Sequence, residues 1–197
     1  MSGLGEKARI RAVMARRRRG LDAGWIVAAS RTAQDRILGL PEFMAATSVA
    51  CYLALPGEVR TERILENCWM AGKTVSVPVF DPEAGGYRFC VLKQGAALAR
   101  GPLGVSEPEI REAVGLARIG LVVMPGVAFD TSGGRLGRGG AYYDRLLRAE
   151  PGIRPPFRLG VAFDFQVVDC VPLEAHDVKA DAVVTEERVI RCADGAA

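Results

Sequence analysis

Apolar positions near the start of the chain recur three or four residues apart, and further along they gather into short unbroken runs. Residues 5–18 place Ile10, Val13, Met14 and Arg17 at helical spacing, which predicts an amphipathic helix with one apolar stripe. Lys7 and Arg11, four apart, share a face of that helix. A second helix is predicted over 22–39 (DAGWIVAASRTAQDRILG), closed by Gly39 and Pro41. A third covers 61–72 (TERILENCWMAG), where Ile64, Leu65, Cys68 and Trp69 keep helical period up to Gly72. The runs read as strands: TSVACYLAL (47–55) up to Pro56-Gly57, TVSVPVF (74–80), and YRFCVL (87–92) after the turn DPEAGG. Residues 93–108 look like loop. GLVVMPG (120–126) is a strand, 141–149 a helix stopped by Pro151, and RLGVAF (158–163), ADAVVT (180–185) and RVIRC (188–192) are further strands.

Strands alternating with helices, several of them apolar on both faces, specify an α/β fold. The expected architecture is a layered, largely parallel sheet flanked by helices, a Rossmann-like single domain over 1–197. Within it, 1–20 form a basic N-terminal helix and 191–197 a loose tail. A chain of 197 residues is long enough to bury roughly 70% of its unfolded surface without staples.

Charge changes this picture only locally. The net charge is +3, but residues 1–36 carry nine Lys/Arg against three acids, and RRRR occupies 16–19. A basic run can mark a nucleic-acid arm. Here no aromatic residue is interleaved and no nucleic-acid motif follows, so a solvated helix end, with cations complementing the dipole, is expected instead. Five cysteines with no CxxC pair and a single histidine, His176, point away from zinc and from a disulfide framework, toward reduced core thiols and a cytoplasmic setting. The longest mainly apolar run, VACYLALP, is far short of the ~20 residues of a membrane span.

The chemistry concentrates in FDTSGGRLGRGGAYYDRLL, 129–147. Five of the eight residues from Gly133 to Gly140 are glycine, and Arg135, Leu136 and Arg138 are the others. The stretch follows a strand and precedes a helix, where α/β folds place ligands and where free backbone amides suit an anion. Glycines let the backbone approach a phosphate, and two guanidiniums add forked cations. The plain alternative is a surface loop whose glycines permit turns, since neither a P-loop nor GxGxxG is present. Asp144 reads two ways: a Mg2+ ligand beside phosphates, or an i,i+4 partner of Arg148.

The same stretch, with MPGVAF before it, resembles the PGxxFDxxGxRLGxGxGYYDRxL signature of 5-formyltetrahydrofolate cyclo-ligases. KARIR near the start is similar to that family's K-x-x-x-R helix, LALPGEVRT (53–61) to its Y-x-x-x-x-x-E segment, GPLGVSEP (101–108) to its G-x-x-G-I-x-EP, and FDFQ with PLEAHDVKAD (172–181) to its tail. The resemblance implies ATP-dependent conversion of 5-formyltetrahydrofolate to 5,10-methenyltetrahydrofolate, with release of ADP and phosphate. It implies ATP-phosphate contacts at Lys7 and Arg11, and a nucleotide-wrapping segment of Arg135, Leu136, Gly137, Arg138, Gly139, Gly140, Ala141, Tyr142 and Tyr143. Arg135, Arg138 and Tyr143 would be catalytic, facing the formyl group. Leu55, Glu58, Arg60 and Tyr142 would contact folate, and Asp144 and Asp177 would hold Mg2+. No nucleic-acid or membrane partner is implied, and a monomer is favoured. Two residues depart from the pattern: Ala141 replaces a glycine, and Arg60 stands where an acid is usual. They motivate the alternative of a non-catalytic formylfolate- or nucleotide-binding paralogue. A third reading is nucleic-acid binding through Arg16–Arg19.

Overall fold

The structure, a computed structural model, describes residues 3–148 and 152–192. Helices α1 (Gly3–Arg19), α2 (Ala23–Leu38) and α3 (Pro41–Ala45) lead into strand β1 (Ser48–Ala50), helix α4 (Glu62–Met70) and the antiparallel pair β2 (Thr74–Asp81) and β3 (Gly86–Val91). Strands β4 (Leu98–Arg100), β5 (Ser106–Pro108), β6 (Ala113–Val114), β7 (Leu121–Pro125), β8 (Ala128–Asp130) and β9 (Arg135–Leu136) precede helix α5 (Tyr142–Leu146). The chain closes with β10 (Phe157–Val161), β11 (Val167–Val168), β12 (Ala182–Val184) and β13 (Val189–Arg191).

The main sheet runs β13-β12-β10-β7-β1-β2-β3-β6. Its centre, β12 to β2, is parallel, and its flanking strands β13, β3 and β6 pair antiparallel, so the sheet is mixed. The central strands read as apolar runs because both faces are covered. One face packs on α2 and α4 through Ala33, Ile37, Ile64 and Cys68; the other packs beneath α5 through Met124, Phe129 and Leu147. Asp22 caps α2 by accepting the Trp25 amide at 2.9 Å.

Several expectations change. β1 ends at Ala50, because Tyr52 Oη donates to the Val59 carbonyl (2.6 Å) and Thr61 Oγ1 to the Tyr52 carbonyl (2.8 Å), folding 52–61 into a loop of its own. Leu53 and Leu55 therefore leave the sheet. The 93–108 loop contains the hairpin β4–β5, whose first strand is exposed at every position and shows no period to read. Arg191 belongs to β13 rather than to a tail; residues 193–197 lie outside the described residues.

Helix α1 docks on a small sheet, β11-β8-β9, through Ile10 and Met14 against Ala128, Leu136 and Val171. Its inward face is not the expected stripe: Val13 and Arg17 are exposed, whereas Lys7, Arg11, Met14 and Arg18 turn in. Cations mixed into the buried face explain why its apolar periodicity is weak.

Candidate functional site

Asp130 shapes the glycine stretch before any ligand is considered. Its buried carboxylate accepts the amides of Ser132 (2.9 Å), Gly134 (2.8 Å) and Val171 (2.8 Å), which fixes the turn from β8 into β9. Gln166 pins the link between β7 and β8, donating to the carbonyls of Gly126 (3.0 Å) and Val127 (2.9 Å). At the far end, Ala141 has φ 48°, and among the described residues no other non-glycine has positive φ. That left-handed turn costs an L-residue about 1–2 kcal/mol. Next to it, a Cβ on Gly140 would fall 2.3 Å from the Tyr142 ring, so only glycine fits there.

Helix α5 is shorter than expected, five residues from Tyr142 to Leu146. Arg148 lies beyond it, and the i,i+4 pairing with Asp144 does not form. Asp144 instead accepts Arg135 Nη2 at 2.7 Å and the Val178 amide at 3.1 Å, both on Oδ1. So short a helix carries little dipole; the positive character here comes from side chains and loop amides.

Arg135 is the interior guanidinium of the pair, 3% exposed and 5.5 Å from the centre of the Tyr143 ring. Arg138 is 55% exposed and reaches across the chain to Glu58 Oε1 at 2.7 Å. Glu58 is itself buried, and its Oε2 accepts the Leu55 amide at 3.0 Å. Lys7 donates to Glu174 Oε1 (2.9 Å) and Asp177 Oδ2 (3.0 Å), and Arg11 Nε donates to the Gly137 carbonyl (2.9 Å). Burial alone would push Lys7 down, but its bonds to Glu174 and Asp177 outweigh it and hold the amine above the usual lysine value. Asp177 is opposed by burial in the same way, yet the Glu174 amide and Lys7 hold it below the usual carboxylate value.

Two cavities meet at Asp144, which lines both. The first, of about 380 Å³, is walled by Tyr52, Leu53, Leu55, Glu58, Pro78, Tyr87, Arg135, Arg138 and Ala141–Tyr143, among others. Burial pushes the phenols of Tyr52 and Tyr143 well above their ordinary range, so both remain protonated hydrogen-bond donors at neutral pH. The second, of about 1010 Å³, is lined by Arg148, Arg158, Glu174, His176, Asp177, Lys179 and Asp181.

The structure thus brings together Lys7, Arg11, the 135–144 segment, Leu55, Glu58 and Asp177. Arg60 is not among them: it lines neither cavity, and its guanidinium pairs with Glu62 Oε1 at 2.9 Å on the surface. Tyr52, Tyr87 and Arg18 were missed by sequence reasoning. Arg16 and Arg19 are exposed as a solvated helix end should be, but Arg18 turns inward, its Nη2 donating to the Gly126 carbonyl at 2.8 Å. Its signal was present: Arg18 continues the spacing of Lys7, Arg11 and Met14. Among the described residues no three His, Cys, Asp or Glu side chains cluster to hold a metal by themselves. No described helix is long and apolar enough to cross a membrane.

Known proteins resemble this chain along most of its length. A family model described as the 5-formyltetrahydrofolate cyclo-ligase family matches residues 4–186. The 5-formyltetrahydrofolate cyclo-ligase of Escherichia coli K12 is 35% identical over 176 residues, covering 88% of this chain and 96% of that protein. The mouse enzyme of the same name is 26% identical, covering 92% and 94%. The solution structure of Aquifex aeolicus 5,10-methenyltetrahydrofolate synthetase superposes with a TM-score of 0.82 at 31% identity, covering 97% of this chain and 95% of that one. With the family model spanning nearly the whole chain and a relative above 30% identity over its full length, the chain belongs to the 5-formyltetrahydrofolate cyclo-ligase family, whose reaction is the ATP-dependent cyclisation of 5-formyltetrahydrofolate.

Proposed function

We propose that this chain converts 5-formyltetrahydrofolate and ATP to 5,10-methenyltetrahydrofolate, ADP and phosphate, with the folate in the smaller cavity and the polyphosphate along the seam between the two. The observation that carries this reading is the position of Asp144 and Arg135. Asp144 faces both cavities and its partner Arg135 lines the smaller one, so a phosphoryl donor and its acceptor meet beside one buried guanidinium.

The chemistry requires that a poor leaving group be activated. The formyl oxygen attacks the γ-phosphorus, an O–P bond forms, the bond to the β-phosphate oxygen breaks, and ADP leaves. N10 of the folate then attacks the phosphorylated iminium carbon and gives up its proton to solvent, and the C–O bond breaks so that phosphate departs with the former formyl oxygen. The protein's part is alignment and charge neutralisation. Arg135, held against Tyr143, is the fixed donor for charge developing on the transferred oxygens. Arg138, mostly exposed, exchanges Glu58 for phosphate oxygens, and Lys7 exchanges Glu174 and Asp177 in the same way. Arg11 closes the loop through the Gly137 carbonyl. Leu55 and the tyrosines enclose the ring system, and Glu58, an acceptor only, suits its N–H edge.

The residues present suit magnesium. Asp144 and Asp177 line one cavity, and their hydrogen bonds engage a single oxygen each, Oδ1 of Asp144 and Oδ2 of Asp177. Mg2+ typically takes one or two carboxylates and completes its shell with phosphates and water, so a third protein ligand is not needed. When bound, the ion would be held by Asp144 and Asp177 and would neutralise polyphosphate charge.

Arg60, paired with Glu62, falls outside this account of the pterin site. Incubation with 5-formyltetrahydrofolate and MgATP is expected to produce the near-ultraviolet band of the methenyl product with equimolar ADP. No band and no ADP, under conditions where the Escherichia coli enzyme turns over, would overturn the proposal. Saturable folate binding without turnover would instead favour a non-catalytic paralogue, the reading that strained Ala141 motivates.

A further inference from the structure

Glu58 is a buried carboxylate with two guanidiniums beside one oxygen. Arg138 Nη2 lies 2.7 Å from Oε1 and Arg18 Nη1 lies 4.0 Å from it. The two arginines differ in how they are held. Arg138 is mostly exposed and sits in the glycine stretch, one residue before Gly139, whose φ is 111°. Arg18 is 16% exposed and rises from a seventeen-residue helix. Its Nη2 donates to the Gly126 carbonyl at 2.8 Å, and its Cβ passes 4.0 Å from where a side chain would begin on Gly57. Gly126 and Glu58 both line the smaller cavity. One guanidinium thus ties helix α1 to two separate stretches of that cavity's wall.

In the function proposed above, on which this inference rests, Arg138 leaves Glu58 to meet phosphate. Glu58 would then stand as a buried charge without a counter-charge, which strongly destabilises a folded site. We infer that Arg18 is the permanent counter-charge of Glu58, a positioning residue that keeps this carboxylate aimed at the folate ring while Arg138 is engaged elsewhere. Tyr52, whose hydroxyl is committed to the Val59 carbonyl, and buried Tyr143 are titratable neighbours that feel the charge of Glu58, and neither supplies a cation. Burial holds the Arg18 guanidinium below the ordinary arginine range and Glu58 pulls it back up, consistent with a charge kept inside for its partner. The pairing also explains why one arginine of the 16–19 run turns inward while Arg16 and Arg19 remain in solvent.

The test uses the full chain with Arg18→Met, which keeps the stem and removes the charge, and Arg18→Lys, which keeps a charge. Titration calorimetry with 5-formyltetrahydrofolate in the presence of Mg2+ and a non-hydrolysable ATP analogue is expected to show a Kd raised about tenfold or more in Arg18→Met and mostly recovered in Arg18→Lys, with a smaller change in the absence of nucleotide, where Arg138 still pairs with Glu58. In turnover, KM for the folate should rise by a similar factor while KM for ATP moves less than about twofold. In a Glu58→Gln background the Arg18→Met change should lose most of its effect, because the charge it serves is gone. A folate Kd unchanged in Arg18→Met, or folate and ATP affinities falling together with lowered thermal stability, would overturn the inference while leaving the proposed reaction standing. Wild-type protein that neither binds the folate nor turns it over would remove both.

Discussion

The cavity beside Tyr52 and Leu55 is walled largely by aromatic and aliphatic side chains, whereas the one beside Arg158 and Lys179 is walled by charges of both signs. The first takes its walls from the loop after β1, from β2, β3 and from α5; the second takes much of its wall from the irregular 173–181 segment. The difference shows how one sheet edge carries two kinds of surface. Apolar enclosure comes from β2, β3, α5 and a loop held by the hydroxyls of Tyr52 and Thr61, whereas the charges of the second cavity come mostly from an irregular segment.

The sharpest way to break this comparison is at the contact between the two sites. Arg135→Lys keeps a charge but loses the fork that meets Asp144 at 2.7 Å. Its kcat is expected to fall on the order of 10²–10³, with a smaller change in either KM, measured by appearance of the methenyl band. On the charged side, Lys7→Met should lower stability by about 2 kcal/mol near neutral pH, because it removes charge-assisted bonds to Glu174 and Asp177.

That loss carries a pH signature. The folded-state value of Asp177 is depressed, so its contribution is present above an unfolded value of about 3.9 and disappears as pH falls through the lower folded value. Lys7 is raised, so its contribution is complete below about 10.4 and lost only as pH climbs through the higher folded value. Denaturant melts of the two proteins should therefore differ most between these limits, begin to converge below about pH 4, and merge as pH falls through the depressed Asp177 value.

On the apolar side, Leu55→Ala should raise KM for the folate about tenfold and leave KM for ATP within about twofold. A parallel rise in both would show that the two cavities are not separate in ligand choice. The smallest effect is expected at Ala141→Gly. Relief of the left-handed φ is partly offset by the greater freedom of glycine in the unfolded chain, leaving a net gain under about 1 kcal/mol. Thermal melts should show it as a rise of about 2 °C.

Much of the frame was readable from pattern alone. The runs that became β2, β7 and β10 are apolar on both faces, and the spacing of Ile64, Leu65 and Cys68 was enough to set α4 against the sheet. Arg135, Arg138 and Asp144 were readable as chemistry because glycines isolate them. Other features were hidden from the pattern by shortness, distance or residue type. β8, β9 and β11 are two or three residues long, too short for alternation to register. The bond between Arg138 and Glu58 joins positions 80 apart, and Arg18 is indistinguishable by residue type from its neighbours in the run. Asp177 came only through family resemblance, since HDVKAD is equally a polar turn; its role depends on Lys7, 170 positions away.

Lys7, Arg135 and Arg138 each rest on an internal carboxylate. An incoming anion must therefore compete with carboxylates already in place. Orthophosphate, compact and able to satisfy only one such cation well, gains little by the exchange, whereas an extended polyanion can relieve several pairs in a single event. In the function proposed above, these pairs would thereby favour a ligand by the reach of its charge before any base or ring is recognised.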